Sequence, residues 1–91
     1  MKIKLSKSFA FEDGVYTEIN LDLDSLTGRD LIDAETEARV IARLAPVSEL
    51  SKPFNAVVAA KAAKVPVDMI LALPAKDFTM VTMMVQDFLL G

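Results

Sequence analysis

A small α+β fold is what this chain predicts: an N-terminal antiparallel β-hairpin followed by three to four α-helices packed on its apolar face. Three observations carry that expectation. Residues 3–23 alternate apolar and polar side chains around a turn, helix-start signals follow at Thr27 and Ser51, and the stretch after Pro74 is apolar over a wide arc. Ninety-one residues accommodate one domain, 1–91, divided into a hairpin over 1–24 and a helical part over 25–91.

The hairpin comes first. Ile3, Leu5, Phe9 and Phe11 alternate with Lys4, Ser6, Ser8 and Ala10, and Val15, Thr17, Ile19, Leu21 and Leu23 alternate with Tyr16, Glu18, Asn20 and Asp22. This period of two belongs to half-buried strands. A two-residue loop of Asp13 and Gly14 mixes the two faces. A three-residue loop of Glu12, Asp13 and Gly14 pairs Phe11 with Val15, Phe9 with Thr17, Leu5 with Leu21 and Ile3 with Leu23, and places Gly14 where a left-handed residue is required. It also sets Lys4 opposite Asp22 and Lys2 opposite Asp24, a favourable arrangement of charge on the wet face. Only Lys7 interrupts the apolar face. A lone hairpin is marginally stable, so helices must cover it.

Thr27 followed by Asp30 reads as an N-cap with an acid three residues on, ahead of Leu31, Ile32, Ala34, Ala38, Ile41 and Ala42. Asp30, Asp33, Glu35 and Glu37 crowd the early turns and Arg39 and Arg43 come late, as the helix dipole favours. The helix is expected over about residues 28–44. Pro46 to Lys52 reads as a loop. Ser51 caps a second helix with Pro53 near its start and Phe54, Val57, Val58, Ala62 and Val65 as its stripe, and Pro66 ends it. Asp68 to Leu73 suits a short helical turn. Pro74 opens a last helix to Leu90, with Phe78, Val81, Val85, Phe88 and Leu89 on one face and Met80, Met83 and Met84 widening it. No internal repeat or low-complexity tract is present.

Composition narrows the function classes. The chain has neither cysteine nor histidine, which removes disulfides, thiolate chemistry, the commonest general base and the usual zinc ligands. Net charge is −3, held entirely in residues 1–45 with six basic and nine acidic side chains, and that balance suits no phosphate backbone. No nucleic acid is expected as a partner. The N-terminus has no continuous apolar block, so no secretory signal is expected. Lys61, Lys64, Pro66, Asp68, Lys76, Asp77 and Asp87 interrupt the apolar second half, so no membrane partner is expected either. The three glycines form no phosphate-binding loop. The acidic cluster from Asp30 to Glu37 is accounted for by its place at a helix start. No catalytic, metal or cofactor site is expected, and the chain is read as a non-enzyme.

Hydrophobic residues make up 53% of the sequence, above the usual range of about 45–50% although that range also counts glycine, and twelve alanines account for part of the surplus. A chain this short buries only about 60–65% of its unfolded surface. The surplus points to a surface that another polypeptide covers. Methionine is soft and adaptable, so Met80, Met83 and Met84, with Phe88 on the last helix and Phe54 and Val58 on the second, are the candidate partner-binding residues.

The order of motifs is similar to that of phage tail assembly chaperones of the Mu-like, contractile-tail type. The resemblance rests on residues 5–9 (Leu-Ser-Lys-Ser-Phe), a glycine turn, residues 16–23 (Tyr-Thr-Glu-Ile-Asn-Leu-Asp-Leu) and residues 26–31 (Leu-Thr-Gly-Arg-Asp-Leu). In the second half it rests on the alanines of 59–63, residues 65–74 (Val-Pro-Val-Asp-Met-Ile-Leu-Ala-Leu-Pro), 76–78 and 85–89. It covers nearly the whole chain, and none of its motifs is catalytic. It implies a protein of the host bacterial cytoplasm that keeps the phage tape-measure protein soluble and helps bring the tail-tube protein to it. Two other functions compete. One is a homo-oligomeric adaptor or scaffold. The other is an acyl-carrier-like protein, since Asp24-Ser25-Leu26 matches the triplet on which such carriers bear phosphopantetheine, although those carriers place a helix before it.

Overall fold

Gly14 decides how the hairpin closes. Its missing Cβ leaves room for the Tyr16 ring, whose hydroxyl oxygen would stand 2.9 Å from any Cβ built there. Tyr16 therefore turns inward and is half-buried, while Val15 and Thr17 are exposed. Burying an aromatic ring outweighs burying a valine or threonine. The computed structural model describes residues 1–42 and 51–91. In it β1 (Lys2–Phe11) pairs antiparallel with β2 (Gly14–Asn20), a 3₁₀ turn follows at Leu23–Ser25, and four helices complete the chain: α1 (Gly28–Ile41), α2 (Lys52–Ala63), α3 (Val67–Leu71) and α4 (Ala75–Leu90). The α+β class and the hairpin-then-helices order are as expected.

The hairpin register differs from the expected one. Phe11 pairs with Gly14, Ala10 with Val15 and Phe9 with Tyr16, so the loop is the two residues Glu12 and Asp13. The left-handed position is Glu12, at φ 53°, and not Gly14. Nearer the N-terminus Lys4 pairs with Glu18, Ile3 with Ile19 and Lys2 with Asn20. Between these two blocks residues 5–8 of β1 stand against Thr17 alone, a bulge that changes the phase of the alternation. Tyr16 and Ile19 face inward with the exposed Thr17 and Glu18 between them. Lys7 lies in the bulge and is exposed, so it does not interrupt the buried face. Lys4 meets Glu18 in place of Asp22, which keeps opposite charges across the strands. Leu21 closes on Met1: its N–H donates to the Met1 carbonyl (2.7 Å) and its carbonyl accepts from the Met1 ammonium (3.2 Å).

α1 begins as its sequence predicts, in a reciprocal cap. The Thr27 hydroxyl accepts from Asp30 N–H (3.4 Å), and the Asp30 carboxylate accepts from Thr27 N–H (2.8 Å). The described helix ends at Ile41 with Ala42 as its C-cap, and residues 43 and 44 of the expected helix lie outside the described residues, as do residues 46–50 of the expected loop. Ser51 caps α2 by accepting from Phe54 N–H. Lys64, left-handed at φ 59° and ψ 44°, stops α2 before Pro66 is reached, and Val65 N–H donates to the Ala60 carbonyl at 3.0 Å. That pairing is a Schellman closure, which uses up carbonyls the helix would leave open.

α2 has no outward stripe. Residues 54–60 and Ala62 are all buried, and the helix touches α1, α3, α4 and the hairpin. A helix that is apolar all round belongs in the middle of its domain. Ala56, Ala59, Ala60 and Ala62 on α2, and Ala34 and Ala38 on α1, hold the helices close, since side-chain size at the contact sets the distance between axes. α1 and α2 advance in the same direction: Leu31 and Ile32 share a groove with Phe54, and further along Lys61 Nζ lies 3.6 Å from a Glu37 carboxylate oxygen. The radius of gyration is 12.4 Å, close to the ~12 Å expected of a folded domain of this length.

Candidate protein-binding surface

The candidate surface lies on α4, and the first turn of that helix determines which way it faces. Pro74, its N-cap, has no N–H, so Asp77 at the third helical position has no capping partner behind it. Asp77 turns instead to the β1 bulge. Its carboxylate accepts from Ser6 N–H and from the Ser6 hydroxyl, each at 2.9 Å, and the residue is only 4% exposed. The bulge thus supplies two donors to one buried carboxylate. Val81 and Val85 continue the inward face and are fully buried, with Thr82 beside them folding its hydroxyl back onto the helix carbonyls of Phe78 and Thr79.

With that face inward, the methionines turn outward. Met80 is 49% exposed and Met83 57%, Phe88 is 40% and Leu90 65%, while Met84 is half-buried against the core. Met80, Met84 and Phe88 follow one another at intervals of four residues and form one ridge along the flank of α4. Sequence periodicity makes α4 look apolar over most of its girth, yet the fold buries only one side of it. Phe54 and Val58 stand apart from this ridge. Both are buried in the core on α2, and Val58 is out of reach of any partner while α2 is in place. The helix buried on nearly every side is α2.

Phe54 does border a surface feature. With Leu31, Ile32 and Glu35 of α1 and Leu89 of α4 it lines a groove of about 310 Å³. Ile32 and Leu90 are prominent exposed hydrophobics that sequence reasoning did not single out for binding. Ile32 was legible as an apolar residue next to Leu31, but only the choice of Ala34 and Ala38 as the packing side of α1 shows that it faces outward.

Other chemistry on the surface is spare. Three of the four acidic side chains of α1 have partners: Asp30 closes the cap, Glu35 pairs with Arg39 one turn on, and Glu37 pairs with Lys61, while Asp33 is exposed. Ser25 sits in the 3₁₀ turn with its hydroxyl donating to the Asp22 carbonyl at 2.8 Å. Two residues separate it from the start of α1 at Gly28, so it is not at a helix start as a carrier serine would be. Among the described residues no three acidic side chains come together as a metal site, and no helix is long and apolar enough to cross a membrane. No family model, curated protein or solved structure matches this chain.

Proposed function

We propose that this chain is a non-catalytic protein-binding module that acts as a phage tail assembly chaperone, holding the tape-measure protein and bringing tail-tube subunits to it in the cytoplasm of a bacterial host. The observation that carries the binding reading is the exposed apolar surface of α4, where Met80 and Phe88 on the ridge and Met83 beside it stay exposed in a chain that has already filled its core. Flexible thioether side chains repack against varied apolar stripes, as a chaperone of a long helical client requires. A tape-measure protein displays such stripes before the tube encloses it, and exposed apolar patches of that kind drive aggregation. An amphipathic client helix laid along α4 would place its own apolar residues at helical spacing against the ridge. The phage-specific part rests on the resemblance over residues 5–31 and 59–89.

Co-expression tests it. Fragments of a phage tape-measure protein are expressed with the wild type and with a Met80→Ser, Met83→Ser, Phe88→Ser triple variant. Wild type is expected to hold the client in the soluble fraction and co-purify with it, and the triple variant, folded by circular dichroism, is expected to do neither. A client whose solubility does not change with wild type present overturns the chaperone reading.

A further inference from the structure

The outermost line of α4 has a pattern that the binding ridge does not explain. Lys76, Met80, Met83, Asp87 and Leu90 are all exposed, and they recur at intervals of four, three, four and three residues. That is the spacing of a heptad seam. At about 100° per residue the first four fall within about 60° of one another, on the side of α4 opposite Val81 and Val85.

Lys76 and Asp87 are each misplaced for α4 alone. Lysine in the first turn faces the positive end of the helix dipole, and aspartate near the last turn faces the negative end. Neither side chain has an ion-pair partner among the described residues. A second α4 laid antiparallel relieves both. With a two-fold axis between Val81 and Thr82, Lys76 faces Asp87 of the second copy and Met80 faces Met83 of the second copy, and the symmetry repeats both contacts. The two helix dipoles then also run in opposite directions.

We infer that this chain forms a homodimer through an antiparallel α4 pair, with Met80 and Met83 as its apolar centre and Lys76–Asp87 ion pairs at its two ends. The interface is isologous, as two-fold dimers require, because one seam is complementary to itself. Its two methionine layers make it weak and reversible, and the charges set direction and register more than strength. The dimer needs no other protein, so it stands or falls apart from the function proposed above. It would also cover part of the surface assigned to a client, which makes the two associations competitive.

Charge reversal in the full chain tests this. Lys76→Asp gives a seam with two acids and Asp87→Lys one with two bases, and both changes suit the dipole of α4, so both variants remain folded. Sedimentation equilibrium over micromolar to millimolar concentrations is expected to show a wild-type dimer. Each single variant should raise the dissociation constant by about tenfold or more through like-charge contacts. An equimolar mixture of the two variants should dimerise again, because both acids then lie on one copy and both bases on the other, and each acid meets a base across the seam. A wild type that stays monomeric over that range, or a dimer that neither reversal weakens, overturns the inference.

Discussion

Replacing Asp77 with alanine removes a side chain that ties the start of α4 to the β1 bulge. The carboxylate is buried and accepts two 2.9 Å hydrogen bonds from Ser6, one from its N–H and one from its hydroxyl. Hydrogen bonds to a charged acceptor contribute about 1.5–3 kcal/mol each. Two effects reduce the sum: Ser6 is exposed enough for water to reach its abandoned N–H, and the alanine variant no longer desolvates a charge. A net loss of about 2–3 kcal/mol is expected, which lowers the melting midpoint by about 10 °C or more in a domain of this size. Urea unfolding followed by circular dichroism measures it. Asp77→Asn keeps an acceptor for the Ser6 N–H and a donor for the Ser6 oxygen, so it should lose no more than about 1 kcal/mol. Ser6→Ala removes only the hydroxyl bond, and the double variant Ser6→Ala, Asp77→Ala should lose less than the two single losses added together. A strictly additive double variant, or Asp77→Ala within about 0.5 kcal/mol of wild type, would show that Asp77 acts through the helix dipole or not at all.

Core and ridge should separate under substitution: Val58→Ala should cost about 2 kcal/mol, while Met83→Ser should stay within about 0.5 kcal/mol in the same urea titration. Glu12→Gly and Lys64→Gly each replace a left-handed residue with one that has no Cβ penalty, and each should stabilise by about 1 kcal/mol in thermal melts. Thr27→Ala and Ser51→Ala remove the side-chain acceptors at the starts of α1 and α2 and should each cost about 1 kcal/mol.

The helix starts were the most legible feature, because a cap is a local bond between neighbours. Thr27, Ser51 and Pro74 mark the starts of α1, α2 and α4, and all three can be read from a few residues. The hairpin was legible in kind but not in register. Its alternation favours a three-residue loop with Val15 and Thr17 inward, whereas the fold closes on the two residues Glu12 and Asp13 with Tyr16 inward and Val15 and Thr17 exposed. The bulge at residues 5–8 is equally non-local, since Asp77, seventy-one residues from Ser6, satisfies its donors. Four of the six candidate binding residues, Met80, Met83, Met84 and Phe88, gather on α4, and the other two, Phe54 and Val58, do not join them.

What the sequence determined by itself is whatever composition and neighbours within a few residues can enforce: the order of hairpin then helices, the caps that start the helices, the lack of thiol and imidazole side chains, and a surplus of apolar side chains. Which of those side chains stay outside was decided by tertiary structure. Periodicity names the faces of a helix but not which face the core will take, and two helices rich in apolar residues compete for the one central position. The alanines of α2 allow the closest approach on every side, so α2 takes the centre, and the bulkier methionines of α4 are left at the surface.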